Sequence, residues 1–335
     1  MITSKARGSV LMLSLWCMCL LTMFAAYLGY NVRQKLMLVK RIEERSKLRF
    51  AAEAGVKKAI SIVKAQEQKT YNALNDDLSA NDAFKDIMVG DCVVSICYEY
   101  KDDETGALAL CYGIADEERK INVKTASPVV LERFFRITLE SDYAQSQALA
   151  ASIIDWQDED SGMSIPLGSA EDSYYRNLRF PYEAKDSGME ILDELLLVKG
   201  IDNKTFFCIK DYLTVYGGGK ININTASKNV LMALGLDEDI ADKIILFRNG
   251  KDRIAATPDD NVFESNSSIL PKLSQFSRLD NSQLTHLSRV VDEYIATASD
   301  NFMIRSVARL NNGKNTMTTI CVVDRKGNVL HWQES

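Results

Sequence analysis

The chain has 335 residues, of which 46% are apolar and 26% charged, and its formal net charge is −6. That length accommodates about two domains with a sizeable core. The acidic balance argues against bulk nucleic-acid binding, which wants a basic face; the two histidines, His286 and His331, are too far apart in sequence to supply a catalytic triad or a zinc site.

Residues 9–30 form 22 positions without a charge. As a helix they span about 33 Å, enough to cross a bilayer core. Lys5 and Arg7 precede them, which orients the N-terminal end toward the cytoplasm and the bulk of the chain to the far side. An ordinary secretory signal carries its small-residue cleavage site after an apolar region of roughly 7–15 residues. Here Gly8 stands directly before a longer run, within Lys-Ala-Arg-Gly-Ser. That order resembles a type IV prepilin leader, which is short, basic and ends in Gly. Cleavage between Gly8 and Ser9 would leave a mature chain that keeps its anchor; the alternative is an uncleaved signal anchor. From residue 31 to 68 there is no Pro and one Gly, Gly55, so the helix is expected to continue beyond the membrane. Phe50, Ala54, the stems of Val56 and Lys57, and Ile60 fall near one face, which is expected to pack on a globular head.

Residues 75–82 are polar and turn-rich and read as a linker. Strands are expected at 92–100 and 107–114, and again at 302–310, 316–324 and 328–332, with hairpin turns at Asn311-Asn312-Gly313 and Arg325-Lys326-Gly327. Five short strands are too few for two sheets. They predict one antiparallel sheet on the long helix, an α+β pilin-like arrangement with a mainly helical insert between strands. The resulting divisions are 1–8 leader, 9–30 membrane segment, 31–123 helix and first strands, 124–299 helical insert, and 300–335 terminal strands. Within the insert, helices are expected at 128–138, 141–157, 191–197, 203–212, 228–234, 237–247 and 283–296.

Lys120-Ile121-Asn122-Val123-Lys124-Thr125-Ala126-Ser127 recurs as Lys220-Ile221-Asn222-Ile223-Asn224-Thr225-Ala226-Ser227. Each copy reads as a short strand entering a helix, with Thr125 and Thr225, or the serines two places on, able to cap it. Apolar residues follow at helical spacing: Val130, Leu131 and Phe134 after the first copy, Val230, Leu231 and Leu234 after the second.

Between Asp155 and Ser173 there are six acids and no base. Such carboxylates repel one another unless they are solvated or bridged by a cation. Their spacing can converge on one hard ion, and Ca²⁺, which takes six to eight oxygens in irregular geometry, suits them better than Mg²⁺. The alternative is a solvated acidic loop; the EF-hand pattern is absent. The seven cysteines contain no C-x-x-C pair; Cys17 and Cys19 are read as fillers of the apolar run and the other five as small buried side chains, the alternative being that some of the five pair in an oxidising compartment. A hydrolase would need a nucleophile with a base, and neither histidine lies near a Ser or Cys motif, so no enzyme is expected.

These pieces, in this order, resemble the protein K family of the type II secretion system, the minor pseudopilins of that machine. The resemblance is carried by the leader around Gly8, Ala-Glu-Ala-Gly-Val at 52–56, the two Lys-Ile-Asn repeats and Ile-Ile-Asp-Trp-Gln-Asp-Glu-Asp at 153–160. It continues through Gly168, Ala170-Glu171-Asp172, Tyr174-Tyr175, Leu-Asp-Glu-Leu at 192–195, Val198-Lys199-Gly200 and Ile-Arg-Ser-Val-Ala at 304–308. It implies a pilin helix and sheet with an inserted helical domain, and a place at the tip of a periplasmic pseudopilus with the minor pseudopilins I and J and other pseudopilins. It also implies processing by a prepilin peptidase, contact with the inner-membrane secretion platform, single-pass location in the inner membrane with the bulk in the periplasm, and structural calcium. Carried over residue by residue, the calcium set is Asp155, Asp158, Asp160, Glu171 and Asp172. The chain departs from the family's Gly-Ala-Glu run by carrying Ser169 between Gly168 and Ala170. Most pilins have Glu at mature position five; counted from Ser9 that position is Leu13, which fits a subunit with no neighbour above it. Two alternatives stand beside this reading: a type IV pilus tip protein, and a membrane-anchored helix-hairpin-helix DNA receptor of the competence type. The second is weakened by Asp237, Glu238 and Asp239, which follow the single Gly235 of the hairpin and would repel phosphate.

Overall fold

The computed structural model describes residues 6–101, 106, 108–160, 162–165, 168–311 and 315–335. The expected leader residues 1–5, most of the loop at 101–106, Ser161 and the Asn312-Gly313 turn lie outside the described residues.

Helix α1 (Ala6–Ala65) runs unbroken for 60 residues and includes the backbone of the Gly8–Ser9 junction. From Val10 to Tyr30 its side chains are exposed; its last five turns lie on an antiparallel sheet. Leu48, Ala51, Ala52, Val56, Ala59 and Val63 form the buried face, at the spacing of one helical stripe. A Cβ at Gly55 would collide with Ser306 Oγ and Val94, so the absent side chain sets how closely the helix can approach. Phe50 corrects the sequence reading. It is 68% exposed, on the face away from the head.

The sheet comprises β1 (Ile87–Val89), β2 (Cys92–Lys101), β3 (Leu108–Tyr112), β4 (Ala115–Asp116), β9 (Asn301–Leu310), β10 (Thr316–Asp324) and β11 (Val329–Glu334). Its order is β1-β2-β9-β10-β11, with β3 extending from β2 and β4 paired to β9. Every pairing is antiparallel, for example Val94↔Ala308 and Cys321↔Ile304. Period-two alternation sends Phe302, Ile304, Ala308, Cys321 and Val323 inward onto α1. The pilin-like α+β fold expected from the sequence is the one observed. The stretch at 75–82 is no loose linker, however. Asp76 accepts from the amides of Ala73, Leu78 and Ser79, which buries Leu74 and Leu78 beneath the sheet.

Between β4 and β9 the chain builds a second body with its own core, from Ile121 to Ile295. It contains β5 (Ile121–Asn122), α2 (Pro128–Thr138), α3 (Tyr143–Asp155), α4 (Asp172–Tyr175), α5 (Asn203–Ile209), β6 (Leu213–Thr214), β7 (Ile221–Asn222), α6 (Lys228–Ala233), α7 (Glu238–Arg248), α8 (Asn266–Phe276), α9 (Asn281–Tyr294) and β8 (Ile295–Ala296). The expected helix at 191–197 is a 3-10 turn over Leu192–Leu197. Helix α8 escapes a sequence reading because Pro271 sits inside it and Asn and Ser open it.

The two repeats are built alike. Each supplies a two-residue strand that pairs in parallel with a later one, β5 with β6 and β7 with β8. The side chains of Asn122 and Asn222 accept from the amides two residues on, at 2.9 and 3.0 Å. Their carbonyls accept from Ala126 and Ala226, both at 2.9 Å. Of the cap candidates, Ser127 and Ser227 fill the role, accepting from Val130 N and Val230 N at 3.4 Å.

Three consecutive buried acids tie this body to the sheet. Asp116 accepts from Asn222 Nδ2 and Thr225 Oγ1 of the second repeat, at 2.8 and 2.5 Å. Glu117 pairs with Lys120 and accepts from Thr214 Oγ1. Glu118 accepts from the amide and the side chain of Asn301, where the chain re-enters the sheet. Burial, then the Asp116 charge, pushes Glu118 up to about 8. All seven cysteines are free thiols, with Cys92, Cys97 and Cys321 buried.

Candidate metal centre

The acidic loop follows α3. Asp142 caps that helix by accepting from Gln145 N, and its apolar face, with Leu149 and Ile153, is buried. At its end Trp156 turns edge-on to Tyr175 (centroids 5.2 Å apart), and Tyr175 stacks on Tyr182 at 5.3 Å. These rings form an apolar floor. Gln157 fixes the exit: its Nε2 donates to the Val123 carbonyl of the first repeat at 3.1 Å, and its Oε1 accepts from Met189 N. The next residues then fold back toward the loop that precedes α4.

This brings carboxylate oxygens of Asp158, Asp160 and Glu171 within 4.8 Å of one another. Asp158 Oδ1 and Glu171 Oε1 are buried and have no hydrogen-bond donor, an arrangement that costs stability unless something positive faces them. Burial, then Asp155, Asp158, Asp160 and Asp186, pushes Glu171 up to about 7. Asp158 is raised by burial and then by Asp160, Asp155 and Asp186.

The sequence-derived set divides here. Asp158, Asp160 and Glu171 converge. Asp155 is fully buried beside them and accepts from Ser164 N at 3.1 and 3.2 Å, holding the loop down. Asp172 does not join the group: one oxygen pairs with Arg176 Nη2 at 2.6 Å and the other accepts from Ala184 N at 2.9 Å. Asp186 was missed. It lies outside the acidic window, in a left-handed turn (φ 51°) whose amide donates to the Trp156 carbonyl. Ser169 is anchored, its Oγ accepting from Ile165 N and its carbonyl accepting from Lys199 Nζ at 3.0 Å. The donor set is all oxygen and the orphaned atoms are acceptors, so the residues fit a hard divalent cation.

A second acidic loop follows α7 in the second repeat. Asp252, Asp259 and Asp260 also gather, but their oxygens are already engaged. Asp259 accepts from Lys251 N, Asp252 N and Thr257 Oγ1 and is held down to about 2 by those donors. Asp260 accepts from Ala256 N. In place of Gln157, the buried Arg248 donates to the Ile223 and Ala226 carbonyls and sets its charge beside Asp260.

The α6–α7 hairpin makes a poor phosphate site. Glu238 and Asp242 bind Lys228 at 2.9 and 2.7 Å, and Asp239 binds Lys243 at 2.6 Å. The start of α7 is therefore acidic and the nearby lysines are occupied, so the DNA-receptor alternative is not favoured.

Comparison with known proteins bears on the same region. Residues 113–218, which hold the first repeat and the acidic loop, match the model of the family described as type II secretion system (T2SS), protein K, first domain. Type II secretion system protein K of Aeromonas hydrophila is 31% identical over 136 residues, 38% of this chain and 41% of that protein. The alignment thus spans about two fifths of that relative's length. A chain in the crystal structure of the GspK-GspI-GspJ complex from the enterotoxigenic Escherichia coli type 2 secretion system superposes with a TM-score of 0.65 at 16% identity. It covers 89% of this chain and 99% of that one, a likeness of fold.

Proposed function

We propose that this chain, whose residues 113–218 match the model of the type II secretion system protein K family, is a minor pseudopilin that caps or initiates a pseudopilus and so supports protein export. The family match carries this reading. The long apolar helix supports it too, since α1 contains one stretch long and apolar enough to cross a membrane. In this account residues 9–30 hold the chain in the inner membrane after a prepilin peptidase cuts behind Gly8, and the head lies in the periplasm beneath the secretion platform's reach. Its role is assembly, without catalysis. Two features favour the tip: the second body widens the head beyond what a helical stack admits, and Leu13 leaves no carboxylate for a neighbour above. By likeness to the Escherichia coli complex, its partners are pseudopilins of the I and J types. The type II match outweighs the type IV pilus alternative.

Asp158, Asp160 and Glu171, with Asp155 beneath them, hold Ca²⁺ in this account; the ion neutralises the cluster and pins the loop to the Trp156 floor. Asp172 is left out. Deleting the gene in its host tests the main reading: secreted enzymes should accumulate in the periplasm and be released again on complementation. Normal export in the deletion strain would reject it.

A further inference from the structure

A cleft of about 360 Å³ opens between the sheet and the second body, and none of its described lining residues belongs to either acidic loop. One wall is the paired ends of β2 and β3, with Lys101 opposite Leu108. The other is the end of α5 and the turn after it, with Phe207, Cys208 and Tyr212. Leu108 is 70% exposed and Phe207 64%, so both walls offer apolar surface that the described residues leave uncovered.

Two polar groups that line this cleft lack partners. Arg119, half-buried, sets its guanidinium over the buried Tyr98 ring, 5.4 Å from the centroid, and none of its N–H groups donates to an acceptor. The acids nearest its charge, Asp116 and Glu117, are engaged elsewhere. Asp116 accepts from Asn222, Thr225 and the Glu118 amide; Glu117 accepts from Lys120 and Thr214. Thr138, at the end of α2, has a buried hydroxyl without a partner. Unmade hydrogen bonds of this kind favour whatever can complete them.

Charge at the mouth selects the sign. Glu99 is paired with Arg305 at 3.3 Å, and Lys210 lies over the Phe207 ring at 4.7 Å. Lys101 and Lys210 therefore join Arg119 against a single unpaired acid, Asp211. A guanidinium held against a ring keeps its planar fork for bidentate recognition of a carboxylate. The volume lies at the small end of ligand pockets, about 300–1,000 Å³, which suits one aromatic or branched aliphatic group. We propose that this cleft binds a carboxylate carried on a small apolar body, the carboxylate on Arg119 and the body between Leu108, Phe207 and Tyr212. Such a ligand touches both bodies at once. A free organic acid and the last residue of a peptide present the same chemistry.

Cys208 supplies the readout, because it is exposed and lines the cleft. The full chain in detergent is alkylated with neutral iodoacetamide while 3-phenylpropionate is titrated in, and the rate at Cys208 is followed by peptide mass spectrometry. Partition of the acid into micelles does not protect this thiol. The acid should slow alkylation saturably, and 3-phenylpropionamide should need a concentration at least about tenfold higher. Arg119→Met should abolish that preference, and Arg119→Lys, which keeps the charge without the fork, should retain part of it. Asp211→Asn should tighten the acid about two- to threefold. Gly-Gly-Phe with a free C-terminus, run beside the acid, distinguishes the two sources; tighter binding by either upholds the site. Absence of protection, equal protection by acid and amide, or an unchanged preference in Arg119→Met overturns the proposal. If Arg119→Met does not fold, the exposed Asp211→Asn decides: unchanged or weaker protection by the acid overturns it.

Discussion

The two repeats begin as the same object and end as opposites. Both form a two-residue strand, an Asn turn and a Ser-capped helix, and both receive a side chain from the end of the following helix on the carbonyl of Val123 or Ile223. In the first copy that side chain is neutral Gln157, and the carboxylates beyond it have buried oxygens without donors. In the second it is Arg248, and Asp259 and Asp260 are wrapped in backbone amides. One hairpin carries a buried positive charge within the chain, Arg248, whose Nε and Nη2 lack a hydrogen-bond partner; the other leaves Asp158 Oδ1 and Glu171 Oε1 without a donor among the described residues. The fold therefore carries an acidic loop at this point in two different settings, and among the described residues only the first leaves buried carboxylate oxygens without donors.

Removing the internal charge should have the largest effect. Arg248→Met should cost about 3 kcal/mol in urea unfolding, since two buried carbonyls lose their donor. Arg248→Gln should recover much of that by imitating Gln157. Next is the ion itself. At a free concentration about 100 times its Kd, calcium should stabilise the protein by about 2.7 kcal/mol, read as a rise in thermal midpoint. Asp158→Asn with Glu171→Gln should abolish the rise and Asp259→Asn should leave it; the opposite pattern would exchange the roles assigned to the two loops.

A smaller effect lies in pH. Folded Glu171 keeps its proton up to about pH 7, against an ordinary value of 4.5. The ion-free fold thus binds more protons than the unfolded chain in that window, and its stability falls as pH rises through it. Glu118, raised to about 8, adds to the same slope and extends it. Calcium should flatten or reverse the Glu171 part, because the ion favours the ionised carboxylate. Asp259 acts the other way: its contribution is present above 3.8 and is lost as pH falls toward about 2. Chemical denaturation at several pH values, with calcium or chelator, separates these. The smallest change tests what the copies share: Ser127→Ala and Ser227→Ala should each cost about 0.5–1 kcal/mol, and equally.

Much of this fold could be read from sequence where the pattern was local and strong. The terminal strands fell within a residue or two of expectation because alternation and turn residues mark them. Helix α2 matched its expected bounds because Ser127, Pro128 and the apolar stripe all agree. What escaped depended on distant contacts. Strands β5 to β8 are two residues long and exist only by pairing across about 70 to 90 residues of chain. Phe50 looked like a core residue because its neighbours are apolar, and only the placement of the sheet shows which stripe of α1 is covered. At the candidate site, spacing found Asp158, Asp160 and Glu171. It could not tell that Arg176 and the Ala184 amide occupy Asp172, nor that the turn at 186 adds another acid.

The full-length chain, in detergent, should be mixed with I-type and J-type pseudopilins encoded by the same host and the product sized by light scattering. A discrete complex with one copy of each is the result expected of a tip subunit. A chain that stays alone, or that adds repeatedly along a growing fibre, would contradict it.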